Sequence, residues 1–362
     1  MKNKLLTTTA IAGLLITGNS FAQTTVTGNL DLSYKAISNT STKGSSVRGL
    51  GKESQINITN KGKLNNGMDY VAGFSIEHDG AESGNATIDG TSNGSTSGTR
   101  MFNENVYIDF ISGKTTLTIG ADHIQNPDYE ITNLTGTADL DEIVSGVTNG
   151  ATAFRTALAS PYSSFGLGLT QDLGVGKFSV YYAPNQTTAV AGDSHGGFAT
   201  HQNSVDGANS TYEIGFRGDL GIKGFDLGLW YNSTDANDKA TNTNSADNYK
   251  ISARHNFGTV TVAAQYAVQE TNTTSVVTEI ESKSIGLAYA VNKDISVGIA
   301  HGRTTDNSSA AKKAADEKIT TISMGYSLGP VALGLSAGKV ENYGNTANTE
   351  GKAVMLQAGT KF

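Results

Sequence analysis

Residues 247–269 read DNYKISARHNFGTVTVAAQYAVQ, and apolar and polar positions alternate through them twice. Tyr249, Ile251 and Ala253 alternate with Lys250, Ser252 and Arg254. Beyond Asn256-Phe257-Gly258, Val260, Val262, Ala264, Tyr266 and Val268 alternate with Thr261, Ala263, Gln265 and Ala267. A period of two predicts strands with one apolar and one polar face, and the tight Asn-Phe-Gly link predicts a hairpin. Tyr249 and Tyr266 end the two apolar faces at about equal distance from the turn, where Phe257 sits. At roughly 3.3 Å per residue and a tilt near 40°, Tyr249 to Phe257 spans about 20 Å, close to the ~25 Å apolar band of a membrane barrel.

The same alternation recurs along the chain. Residues 25–36 set Val26, Leu30, Leu32 and Tyr34 against Thr27, Asn29, Asp31 and Ser33. Further strands are marked by Ile56 and Ile58, by Met68 to Ile76, by Val106 to Phe110 and by Leu117 to Ala121. Others run from near Phe154 towards Gln171, over 177–183, Tyr212 to Phe216, Phe225 to Tyr231, Ile285 to Tyr289, Ile295 to Ile299, Ile322 to Tyr326 and Val331 to Ala337. The last carries Val354, Leu356, Ala358, Thr360 and Phe362 on one face. Seven short turns and eight longer connections alternate between them, which makes sixteen strands with both termini on the short-turn side. An antiparallel sheet of that order closes by pairing its first and last strands, and sorting of connection lengths to opposite ends is the pattern of an outer-membrane barrel.

Ahead of the first strand, Lys2 and Lys4 precede an apolar run over 5–16 and a Ser20-Phe21-Ala22 small-x-small site. This predicts a signal peptide over 1–22 and a mature barrel over 23–362. No later stretch supplies the ~18 apolar residues of a membrane-spanning helix. With Lys2 and Lys4 removed, 24 basic residues face 33 acidic ones, a balance that argues against nucleic acid as a partner. There is no cysteine, and Gly is abundant where Pro is scarce, which suits strands and turns. His195 and His201 share a segment with Asp193 and Asp206, but no second ligand pair at zinc spacing accompanies them. No cofactor, metal or catalytic residue is expected. His255 near Phe257 reads as an interfacial ring.

SQINITNKGKLNNGMDYVAGFSIE, NVYIDFISGKTTLTIGADH and AFRTALASPYSSFGLGL resemble successive stretches of the Gram-negative general porins, and the terminal Phe362 resembles their C-terminal aromatic. The resemblance runs over the whole mature length. Two departures stand beside it: Lys63-Leu64-Asn65 replaces an acidic turn residue of the second hairpin, and the Pro-Glu-Phe-Gly-Gly box of enteric porins is missing. The resemblance implies an all-β, sixteen-stranded transmembrane barrel, a homotrimer, and a third long loop folded inward as a constriction. It also implies export to the outer membrane, contact with its lipid and lipopolysaccharide, and recognition of Phe362 by the barrel assembly machinery.

A sixteen-strand barrel is too wide for side chains to fill, so ions and small hydrophilic solutes diffuse through it and charges at the narrowest level set the selectivity. The segment 124–151 stands where the family has its inward loop, and it carries Asp128, Glu130, Asp139, Asp141 and Glu142 with no Lys or Arg. Basic residues on polar strand faces are expected across from them: Arg155, Arg217, Arg254 and Lys250. Arg155 also matches the family's Arg before Ser-Pro. Trp230 is the inward aromatic, and Tyr34, Tyr249, Tyr266, Tyr289 and Tyr326 are expected in the aromatic girdles. The acids lean the expectation towards a mild cation preference. A substrate-specific channel and a non-conducting surface adhesin are the competing readings, separated from the first by solute competition and by conductance.

Overall fold

The computed structural model describes residues 22–39, 46–80, 100–120, 166–183, 210–234, 245–272 and 277–362. It is a closed barrel of sixteen antiparallel strands. They are β1 (Gln23–Asn39), β2 (Ser46–Lys63), β3 (Asp69–Gly80), β4 (Arg100–Ser112), β5 (Thr115–Gly120), β6 (Gly166–Asp172), β7 (Lys177–Ala183) and β8 (Thr211–Gly218). There follow β9 (Phe225–Thr234), β10 (Ser245–Asn256), β11 (Val260–Asn272), β12 (Val277–Ala290), β13 (Ile295–Asp306), β14 (Glu317–Leu328), β15 (Val331–Glu341) and β16 (Glu350–Lys361). Each strand pairs with its sequence neighbours, and β1 closes on β16 with Leu30 opposite Thr360 and Lys35 opposite Met355. Closure leaves no unpaired sheet edge, which an apolar solvent cannot tolerate.

Burial is inverted relative to a water-soluble domain. Leu32 and Leu356 lie 50% and 53% exposed on the outer face, while Asn232 and Asn248 on the inner face are fully buried. Outward Val, Leu and Ile side chains alternate with inward polar ones along the strands, so the wall meets lipid outside and a polar lumen inside. Sixteen strands at ~4.8 Å spacing and ~40° tilt give a backbone diameter of roughly 32 Å, too wide to be filled by side chains.

The hairpin of 247–269 forms with the expected faces, its turn closed by Phe257 N–H on the Val260 carbonyl at 2.8 Å. Its tyrosines are offset by one pleat: Tyr249 stands opposite Val268, and Tyr266 opposite Ile251.

On the long-connection side the strands run further than the apolar alternation predicts. β2 begins ten residues before Ile56, at Ser46, β12 begins at Val277 ahead of Ile285, and β13 continues past Ile299 to Asp306. The expected long loop between β11 and β12 therefore shrinks to residues 273–276. The reason is physical. Backbone pairing continues above the bilayer, but the outward positions there meet water and carry Glu281, Lys283 and Arg303 instead of apolar side chains.

Two short elements that the alternation does not predict close the same end. Helix α1 (Ala310–Lys313) is capped by the Ser309 hydroxyl accepting from Lys312 N–H, and a 3-10 turn covers Tyr343–Asn345. Asn345 is buried and donates to the carbonyls of Thr304 and Ala315 at 2.9 and 3.1 Å. Beneath them Ile319 and Val340, paired in register, pack with Ala300 and Tyr343.

Candidate functional site: the lumen wall

The inner face is mainly polar, and its charges are sorted by side. Inward positions of β1–β4 carry Asp31, Glu53, Asp69, Glu77 and Asp109 against Lys35, Lys61 and Lys63 among the described side chains. Inward positions of β7–β10 carry Lys177, Arg217, Lys250 and Arg254 against Glu213 and Asp226. In the sixteen-strand ring the centres of these two arcs lie six strands apart, across the lumen from one another though short of diametrically opposite. The described lumen thus has an acid-rich wall facing a base-rich one.

The basic wall has two levels. Near the short turns, Asp226 of β9 binds two arginines. Arg217 donates to it from Nε at 3.0 Å and from a terminal nitrogen at 2.5 Å, and Arg254 donates at 2.8 Å. This two-to-one cluster carries one excess positive charge. It lines a cavity of about 850 Å³ with Asp172, Lys177, Asp219 and Asn256. Arg254 comes from register pairing with Asp226 across β9–β10, and Arg217 reaches it from β8, where it pairs with Gly228. A glycine opposite leaves room for the guanidinium to cross the strand.

Further from the turns the wall is aromatic and buried. Lys250 stands 5.5 Å over the Trp230 ring, an arrangement in which the ring face attracts the ammonium, and only 7% of Lys250 is exposed. Trp230 hydrogen-bonds to Glu213. One pleat higher, Tyr181, Glu213, Asn232 and Asn248 form a register row across β7–β10, and Asn248 donates to Asn232 at 3.2 Å.

Of the residues expected to form the site, Arg217 and Arg254 share one cluster near the short turns. Lys250 lies on the same wall, buried against Trp230. Asp128, Glu130, Asp139, Asp141, Glu142 and Arg155 lie outside the described residues. Tyr34, Tyr249, Tyr289 and Tyr326 project outward and are 37–44% exposed, and Tyr266 projects outward half-buried. Tyr249 and Tyr266 stand towards the long-connection end, and Tyr289 and Tyr326 beside the short turns. Phe362 exchanges both backbone hydrogen bonds with Gly28, at 2.8 and 2.9 Å, and so completes the β1–β16 seam.

Asp226, Glu213 and the acids of β1–β4 were not singled out from the sequence. Strand parity alone would have placed them: Asp31, Glu53 and Glu77 all occupy polar-face positions of alternating segments. Among the described residues no group of three His, Asp or Glu side chains could hold a metal ion.

No curated protein matches the sequence closely enough to count as a relative. Solved structures match its fold. A loop-L8 deletion mutant of OmpT, an outer membrane protein of Vibrio cholerae, aligns with a TM-score of 0.61 at 11% identity, over 94% of this chain and 99% of that one. The trimer form of Vibrio cholerae OmpT aligns at 0.57 and 12% identity, over 94% and 99%. Salmonella typhi OmpF, solved with daunomycin, aligns at 0.57 and 14% identity, over 94% and 97%. The Gram-negative porin family model matches residues 7–345. A sixteen-strand barrel with lipid-type side chains outside, a charged lumen inside and this match over most of its length belongs to the Gram-negative porin family, as an integral outer-membrane channel for passive diffusion.

Proposed function

We propose that the channel's selectivity is set by a transverse field between its two lumen walls and that it leans weakly towards cations. The observation that carries this is the sorting of charge: acids in excess on β1–β4 and bases in excess on β7–β10, arcs whose centres lie six strands apart in the ring of sixteen. Opposed charges across a water-filled lumen with low-dielectric walls orient dipolar solutes and bias ions of either sign to opposite sides. The acids Asp128, Glu130, Asp139, Asp141 and Glu142 add to the acidic pole in this reading, and Arg155, Arg217, Arg254 and Lys250 form the basic one. The excess of acids over the whole chain supports the cation lean.

The rest of the reading follows the family. Residues 1–22 are a signal peptide removed on export. The barrel is a homotrimer, a reading supported by a structural neighbour solved in a trimer form. Lipid and lipopolysaccharide surround it, with Tyr34, Tyr249, Tyr266, Tyr289 and Tyr326 at the two membrane interfaces. Phe362 serves the barrel assembly machinery as its recognition signal. The protein carries no catalytic role and no cofactor.

The test is single-channel recording of the folded protein in a planar bilayer under a salt gradient. Steps in triplets with a modest cation-selective reversal potential support the reading. Anion selectivity refutes the cation lean and assigns the filter to the basic wall. Absence of steps from heat-modifiable, folded protein refutes a conducting pore and leaves an adhesin.

A further inference from the structure

The cavity beside Asp226 is walled by two short turns as well as by strands. The turn between β6 and β7 and the turn between β8 and β9 both contribute to its rim, and they are bound together by Leu220 N–H on the Val175 carbonyl at 3.0 Å. Gly218 permits this approach: a Cβ there would lie 2.2 Å from the Val175 carbonyl oxygen and 2.3 Å from the Gly176 Cα. Val175 and Phe225 give the cavity an apolar side, and its volume of about 850 Å³ is that of a small-molecule pocket.

Charges of both signs line this cavity without pairing. Lys177 stands opposite Asp172 on β6 and opposite Arg217 on β8. Like charges directly opposite one another destabilise a sheet, yet the Asp172 carboxylate forms no ion pair with the ammonium. One of its oxygens is held instead by Gly174 N–H at 2.7 Å, inside the turn. Asp219 is held in the same way by Gly221 N–H at 2.8 Å. Among the described residues Lys177 has no hydrogen bond or ion pair, and Arg254 spends a single terminal nitrogen on Asp226. Asp172 and Asp219 each keep one carboxylate oxygen without a partner. With Asp226 balanced against Arg217, the charges of Lys177 and Arg254 face those of Asp172 and Asp219. A solute of one charge therefore meets attraction and repulsion of equal count here, and a solute with both signs gains from each.

We infer that this cavity binds small solutes that carry both an ammonium and a carboxylate, the chemistry of free amino acids and short peptides. The inference rests on the channel reading and names a substrate class for one part of its wall. The carboxylate takes the open donors of Lys177 and Arg254, and the ammonium takes the open oxygens of Asp172 and Asp219. An aliphatic side chain lies on Val175 and Phe225. The turn hydrogen bonds hold both aspartates, and Asp226 holds Arg254, so these groups lose little freedom when a solute binds. Short turns mark the periplasmic end of such barrels, so the solute is held at the inner mouth of the channel.

The experiment records solute-induced current noise through the full-length folded protein in a planar bilayer at pH 7, which gives an apparent Kd. The probes are norleucine, hexanoate and pentylamine, which share an alkyl chain and carry both charges, only the carboxylate and only the ammonium. Norleucine is expected to bind about two- to fivefold more tightly than either at 0.15 M salt, the worth of one exposed ion pair, and the advantage should shrink at 1 M. K177Q should weaken norleucine and hexanoate by a similar factor. D172N/D219N, in which the amide oxygens still accept from the turn N–H groups, should weaken norleucine and pentylamine. K223Q, a rim charge off the cavity, should change none of the three. Norleucine bound no more tightly than hexanoate or pentylamine by the native protein overturns the inference, and this arm needs no variant. Undiminished norleucine affinity in either cavity variant overturns it as well. Conductance on the same samples separates the two readings: intact conductance without norleucine preference refutes only the site, whereas no conductance in any sample refutes the channel.

Discussion

The Asp226→Asn substitution tests the electrostatics of the lumen most directly. It is isosteric, and the amide oxygen still accepts a hydrogen bond from either arginine. It removes one negative charge from a cluster in which Arg217 and Arg254 already outnumber their carboxylate. An ion crossing the cavity about 6 Å from that carboxylate feels about 0.7 kcal/mol in bulk water, and a Debye length of ~8 Å cuts this to about 0.3 kcal/mol. A cation loses that attraction and an anion loses the equivalent repulsion, so the cation-to-anion permeability ratio should fall about threefold at 0.15 M salt. At 1 M the Debye length is ~3 Å, and the same arithmetic gives a factor of only about 1.4. The assay is the reversal potential under a fixed concentration ratio, at both mean salt levels. Glu341→Gln, the same charge change on the outer face, provides the reference and should not move it. A threefold shift at low salt that shrinks at high salt supports a pore charge. No shift means that permeating ions do not pass this cluster, and an equal shift at both salts means that the pore has changed shape.

Other consequences concern the wall. Asn345→Ala removes two hydrogen bonds from a buried side chain, at a cost of about 1–3 kcal/mol. Hydrogen exchange should accelerate in 342–349 and not on β9–β10; uniform acceleration would show that the cap is not a local unit. A Cβ at Gly28 would lie 2.6 Å from the Gln55 carbonyl oxygen and from the Phe362 ring, so Gly28→Ala must displace the seam and should cost about 1–3 kcal/mol. The folded band on semi-native gels should melt at a lower temperature, and an unchanged melting point would refute the contact. Leu356→Arg puts a charge midway along the outward face of β16, where it should cost about 2–4 kcal/mol in urea titrations from vesicles. Gln357→Arg, one residue along and facing the lumen, should cost far less. Equal costs would invert the assignment of faces.

The strand count, the closure and the faces were legible because lipid imposes them. Each crossing must bury an apolar position against the bilayer at every second residue, and that demand writes itself into Leu30, Leu32 and Tyr34 as it does into Val354 and Leu356. Above the bilayer the demand lapses. β12 continues from Ile285 back to Val277 in register with β11, yet Lys283, Glu281 and Glu279 on its outward face look like loop to any reading of hydrophobicity. The strand ends and the cap around Asn345 were therefore invisible. The cap rests on side chains reaching carbonyls 30 and 41 residues away, and no local pattern encodes that.

The site divides along the same line. Parity assigned Arg217, Arg254 and Lys250 to the lumen because each follows an apolar neighbour, and the register places all three on one wall. What parity does not reveal is the partner of each charge, since that depends on the strand alongside. Arg217 and Arg254 are 37 residues apart in sequence and meet only because β8, β9 and β10 are consecutive, with Asp226 between them. Lys250 satisfies the same parity rule, but its cross-strand neighbour is Trp230, and the pairing buries it. Two inward bases four residues apart on one strand thus differ in what they offer a passing ion: Arg254 is 39% exposed beside the cavity, and Lys250 only 7%. Removing each charge in turn should expose the difference. Arg254→Gln should raise the cation-to-anion ratio at 0.15 M by a factor comparable to the drop in Asp226→Asn, and Lys250→Gln should change it much less while loosening the Trp230 environment, read as a shift in its fluorescence. Trp230 is the chain's sole tryptophan, so that signal has one source. A larger selectivity change from Lys250 than from Arg254 would mean that ions follow the buried row, and that the cavity beside Asp226 lies off their path.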